Sequence, residues 1–138
     1  MHHSIEIDHL CYSYPDGHKA LEDITLHIQP GEKAALLGEN GAGKSTLILH
    51  LNGILSGTGS ICIAGLPVVK ENLARIRARV GVVFQNPDDQ LFSPNVYEDV
   101  AFGPIYQGLP ADEVKTRVDE ALAVVGMENY AGRVSHHL

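Results

Sequence analysis

Basic residues are scarce in this chain: ten lysines and arginines stand against seventeen aspartates and glutamates, a formal charge of −7. An acidic surface repels phosphodiester backbones, which argues against a general nucleic-acid binder. Long apolar runs are missing too, and none approaches the roughly 20 residues a bilayer-spanning helix requires. The opening Met1-His2-His3-Ser4-Ile5-Glu6 has neither the basic region nor the apolar stretch of a secretory leader. Only two cysteines occur, Cys11 and Cys62, far apart and without a metal or redox spacing. These absences fit a reducing cytoplasm.

What is present is ordinary globular material: 138 residues, 44% hydrophobic and 20% charged. That length suits one domain or part of one. Ile5-Glu6-Ile7-Asp8 and Ile24-Thr25-Leu26-His27-Ile28 alternate apolar with polar, as half-buried strands of an antiparallel sheet do. Pro15-Asp16-Gly17 between them is turn chemistry, and Pro30-Gly31-Glu32 makes the next corner. Ala34-Ala35-Leu36-Leu37 is continuously apolar and predicts a strand buried on both faces of a parallel sheet. Val80-Gly81-Val82-Val83-Phe84 predicts a second, with Gln85 at its carboxyl end. Ser60 to Ile63 is a further strand candidate.

Helices are expected from about Lys44 to near Gly53, carrying Leu47, Ile48 and Leu51 on one side, and from Asn72 to Arg79. The three arginines 75, 77 and 79 give the second a solvated face. Asn95 with Glu98 resembles a capping box, and Gly103-Pro104 is expected to limit the helix it opens. Ala111 to Val125 is the clearest helix, with Val114, Val118, Ala121, Leu122 and Val125 in one stripe, most simply core packing. Asp112 and Glu113 occupy its favourable first turn. No repeat or low-complexity segment interrupts this order.

The chemistry lies in Gly38-Glu39-Asn40-Gly41-Ala42-Gly43-Lys44-Ser45, a complete P-loop. A triphosphate needs several donors converging on its oxygens. Gly41 and Gly43 allow close backbone approach, successive amides form an anion nest at the helix start, Lys44 reaches the β- and γ-phosphates, and the Ser45 hydroxyl suits Mg²⁺. A buried-type strand leads in and an amphipathic helix leads out, so a chance glycine-rich turn is the poorer reading.

With Thr46 appended, this loop resembles that of the ATP-binding-cassette (ABC) ATPases. So do Tyr14-Pro15-Asp16-Gly17, Ala20 to Ile24, Pro30-Gly31-Glu32 and the Q-loop-like Val80 to Pro87. Asp88 to Pro94 and Asp99 to Pro104 resemble the energy-coupling-factor branch, closest to the ATPase subunits of cobalt and nickel importers. The resemblance implies an α/β fold: a β-subdomain and P-loop core over 1–85, then the start of a helical subdomain over 86–138. It implies ATP and Mg²⁺ as ligands, Tyr14 stacked on adenine with Tyr12 as its competitor, and Gln85 at the Mg²⁺ and the attacking water. Its implied partners are a transmembrane coupling subunit docked on the helices after Gln85, a substrate-specific membrane subunit and a second ATPase subunit. The implied location is peripheral, on the cytoplasmic face of the cell membrane.

The chain departs from that family in what it omits. Hydrolysis there uses a Walker B strand, four apolar residues then Asp, followed by a glutamate base. None of Asp8, Asp16, Asp23, Asp88, Asp89, Asp99, Asp112 and Asp119 follows such a run. The Leu-Ser-Gly-Gly-Gln signature, D-loop and switch histidine are also missing, and His136 and His137 do not replace the last. Leu138 stands where the signature begins, so the chain resembles an amino-terminal half. Such a half is expected to leave an unpaired sheet edge with uncovered apolar surface and to bind ATP without hydrolysing it. A nucleotide-binding remnant of a truncated gene and a soluble ABC ATPase are the rival readings. A P-loop kinase or GTPase explains neither Tyr14 nor Gln85 with their flanks. The eight histidines are scattered; only His9 with Cys11 and the pairs His2-His3 and His136-His137 lie close, which does not favour a metal site.

Overall fold

The computed structural model describes residues 4–135, so the His2-His3 and His136-His137 pairs and Leu138 lie outside the described residues. The chain divides into two compact units, one up to Val80 and one from Gly81.

The first unit is built on a four-stranded antiparallel sheet, ordered β2-β1-β3-β4, from β1 (Ile5–Ser13), β2 (Lys19–Ile28), β3 (Thr58–Ile63) and β4 (Leu66–Pro67). Ile5 lies opposite Ile28 on one side and Ile63 on the other, while Ile7 lies opposite Leu26 and Ile61. Simple alternation would then put position 10 on the solvent side. His9 prevents this: its φ of 53° marks a break in the register, and the extra residue returns Leu10 to the core. Leu47 from α1 (Lys44–His50) and Ile76 from α2 (Leu73–Arg77) join Ile7, Leu10, Leu21, Ile61 and Ile63 in one buried cluster. Each such side chain contributes about 1.5–3 kcal/mol relative to exposure. Arg75, Arg77 and Arg79 stay exposed, as their spacing suggests.

The second unit holds α3 (Val96–Tyr106) and α4 (Ala111–Val124), packed through Val96, Ala101, Val114, Val118 and Leu122. The first amides of α3 are all satisfied. Asn95 accepts from the Glu98 N–H at 2.9 Å, and the carbonyls of Arg133 and Ala131 accept from Val96 and Tyr97, each at 2.8 Å.

Three expectations need correction. Gly103-Pro104 does not limit α3, which runs on to Tyr106; a proline so near the end removes one hydrogen bond from a ladder that is finishing anyway. The α4 stripe is narrower than expected, since Ala121 and Val125 are exposed. Most consequential, 34–37 and 80–84 form no strand. Leu37 is 89% exposed and Val83 79%. A parallel strand needs a neighbour on its edge and cover on its faces, and among the described residues no strand pairs with either run.

Candidate functional site

The site begins at the hairpin joining β1 to β2. Pro15 supplies the fixed φ of a turn, and Gly17 takes a φ of 91°. The Gly17 N–H donates to the Tyr14 carbonyl and the Tyr14 N–H to the His18 carbonyl, each at 2.8 Å. The Asp16 carboxylate accepts from the His18 N–H at 2.9 Å. The turn holds Tyr14 half-buried beside the first turn of α1, where its hydroxyl hydrogen-bonds the Thr46 hydroxyl at 2.7 Å. Tyr12 instead packs against the core, its ring edge-on to both Tyr14 and His50.

Gly38 to Ala42 are exposed and irregular, and Gly43 leads into α1. Gly43 has a φ of 98°, and a Cβ there would stand 2.6 Å from the Ala20 carbonyl oxygen. The loop therefore passes against β2 at a point only glycine permits. Lys44 donates its ammonium to the carbonyls of Gly38 and Glu39, the latter at 2.7 Å. Carbonyls are weaker partners for an ammonium than a phosphate, which carries full charge. Ser45 is exposed and Thr46 buried, and the opening amides of α1 have no intrahelical acceptor. Gly38, Glu39, Asn40, Gly41, Ala42, Gly43, Lys44, Ser45 and Thr46 thus lie together at one helix start with Tyr14 tied to it. Glycine-rich backbone, one cation, a free hydroxyl and an aromatic face are the donor set that suits a nucleotide and Mg²⁺.

Two histidines near this site escaped the sequence reading. His50 is buried, with Nδ1 2.8 Å from the Thr46 carbonyl and Nε2 without a partner among the described residues. Its position four residues after buried Thr46 and three after Leu47 is the helical signal that places it inside. His18 is exposed, its ring 6.3 Å from that of Tyr14. The exposed pairs His9–Asp23 at 2.6 Å and His27–Asp8 at 3.0 Å lie on the sheet. Among the described residues no group of three or more His, Cys, Asp or Glu side chains is arranged to hold a metal.

Gln85 belongs to the second unit and is exposed. Beside it, Gln90 takes up backbone groups that a neighbouring strand would have used. Its side chain accepts from the Phe84 N–H at 3.0 Å and donates to the Val82 carbonyl at 2.9 Å. Asp99 gathers the segment before α3, accepting from the Phe92 and Ser93 amides at 3.2 and 3.1 Å and from the Ser135 hydroxyl. Burial pushes the Asp99 carboxyl up, but these hydrogen bonds, that of Ser135 foremost, outweigh it and hold the group below its ordinary value.

A helix-start P-loop fed by an aromatic hairpin defines a nucleotide-binding class. The family model described as "ABC transporter" matches residues 21–138, and the chain belongs to that family. Within it, the chain is 58% identical over 137 residues to the energy-coupling factor transporter ATP-binding protein EcfA of Methanothermobacter thermautotrophicus, covering 97% of this chain and 44% of that protein. It is 53% identical to EcfA of Methanocaldococcus jannaschii, covering 97% and 49%. Among solved structures it resembles cbiO1 from Clostridium perfringens, part of the ABC transporter complex cbiONQ. The TM-score is 0.84 at 41% identity, covering all of this chain and 56% of that one. The chain spans about half the length of the curated relatives it matches. Among the described residues no helix is long and apolar enough to cross a membrane.

Proposed function

We propose that this chain carries the ATP-binding half-site of an energy-coupling-factor ATPase, which drives uptake of cobalt, nickel or a related micronutrient. The observation that carries it is the P-loop from Gly38 to Ser45 at the start of α1, with Tyr14 bonded to Thr46 beside it. In this reading Lys44 leaves the Gly38 and Glu39 carbonyls for the β- and γ-phosphates, and the loop amides take the remaining oxygens. The Ser45 hydroxyl is the chain's ligand for Mg²⁺, whose charge would offset that of the phosphates. Tyr14 takes one face of the adenine.

The cargo class follows from the resemblance of Asp88 to Pro94 and Asp99 to Pro104 to cobalt and nickel importers, and the relatives' names support the branch. The partners in this reading are a transmembrane coupling subunit, a substrate-specific membrane subunit and a second ATPase subunit. They would hold the protein peripherally, on the cytoplasmic face of the membrane. By the same resemblance, Gln85 would contact the Mg²⁺ and the attacking water. Without a Walker B glutamate the chain binds ATP and does not hydrolyse it.

The test is retention of a fluorescent ATP analogue. Lys44→Ala is expected to abolish it with the circular dichroism unchanged, and equal retention by variant and parent would sink the assignment. Joining the chain to the remaining part of the Methanothermobacter relative should confer phosphate release, which the chain alone is expected to lack.

A further inference from the structure

We propose that His18 is the second aromatic wall of the base site, facing Tyr14 across the purine. This rests on the nucleotide-binding reading above and deepens it. The two rings project from opposite sides of the hairpin mouth, one residue beyond the Ser13–Lys19 pair of the ladder. Directly opposed residues of an antiparallel pair present their side chains on the same face. The rings are parallel to within 17°, with centroids 6.3 Å apart. Packed aromatic carbons approach to about 3.5–4 Å, so a planar base held between two rings needs them about 7 Å apart. The observed centroid separation is near that spacing, and His18 is exposed.

The turn itself does not need the imidazole. Position 18 serves it through backbone alone, its carbonyl accepting from the Tyr14 N–H and its N–H donating to Asp16. Any residue but proline would supply those two groups. What the side chain adds is a flat ring, held beside Tyr14 by a closed turn and next to the helix start through the Tyr14–Thr46 bond. Base stacking on aromatic faces tolerates every base, so the clamp raises affinity for nucleotides over bare phosphates without choosing among purines.

Calorimetric titration of the 138-residue chain with Mg-ATP and with tripolyphosphate, which has the phosphates and no base, separates the two contributions. His18→Ala is expected to weaken ATP roughly three- to tenfold, the worth of one aromatic contact. Tripolyphosphate affinity should be unchanged, and His18→Phe should return ATP binding to the parent value. The clamp is overturned if His18→Ala binds ATP like the parent while Lys44→Ala loses it. It is equally overturned if His18→Ala weakens both ligands alike, since that reports a damaged turn. Undiminished ATP binding by Lys44→Ala fells the phosphate-site reading and the clamp together.

Discussion

Residues 24–28 and 34–37 are both short apolar-rich stretches of the first unit, separated by one turn, yet only the first is taken into a sheet. Ile24 to Ile28 pair along β1, and Ile24 packs against the buried cluster while Leu26 stays 38% exposed. Leu36 and Leu37 are 45% and 89% exposed with no ladder on either side. Residues 80–84 repeat the second outcome. The difference lies in where a partner is found. An antiparallel partner waits across a hairpin, here the one closed by Pro15 and Gly17, whereas a parallel partner must return through a crossover of a dozen residues or more. Hydrophobicity makes a segment eligible for a sheet, and only a neighbouring strand admits it.

Paired substitutions sharpen that comparison most. Leu10 is 2% exposed in the hairpin core, and Leu10→Ala should cost about 2–5 kcal/mol by urea unfolding. Leu37→Ser, in the unpaired run, should stay within about 0.5 kcal/mol of the parent. Comparable losses at both positions would mean that 34–37 is covered in solution and the contrast is false.

A smaller effect is expected at Asp99, which gathers its unit by hydrogen bonds rather than by a sheet. Its folded pKa is lowered, so its contribution is complete above the ordinary carboxylate value of about 3.9 and is lost as pH falls through the depressed one. Acidification below about pH 4 should release the Asp99 contacts, visible as loss of amide protection at Phe92 and Ser93. In Asp99→Asn that pH dependence should vanish; if it persists, another group is responsible.

The smallest effect belongs to the His9–Asp23 pair beside the bulge. Its hydrogen bond to Asp23 raises the His9 pKa above 6.5, so the pair helps below that value and loses its contribution as pH rises through the raised one. Full exposure keeps this weak. An NMR titration of His9 should give a higher midpoint in the parent than in Asp23→Asn, and equal midpoints would dissolve the pair.

Much of the fold was legible because its signals are local. Alternation around Ile5 and Ile24, the Pro15-Asp16-Gly17 turn, the Asn95 cap and the helical spacing of Val114, Val118 and Leu122 each need only a few neighbours in sequence. The register break at His9 was not legible, since an extra residue in a strand follows from opposing pairs and not from composition. Nor was the use of Gln90 as a surrogate strand partner, which depends on where 82–84 lacks one. At the candidate site the P-loop residues and Tyr14 were named from sequence, and His18 and His50 were passed over among eight scattered histidines.

By itself the sequence determined the loop of the candidate site. A glycine-rich loop, one lysine and a serine at that spacing need no distant residue to form an anion nest, because the donors are the loop's own backbone and its next two side chains. The tertiary structure decided what those residues stand beside. It tied the Tyr14 hydroxyl to Thr46 and set the His18 ring against Tyr14. It also left the runs 34–37 and 80–84 without a neighbouring strand among the described residues, because pairing and burial are properties of two segments meeting and neither segment encodes the meeting alone.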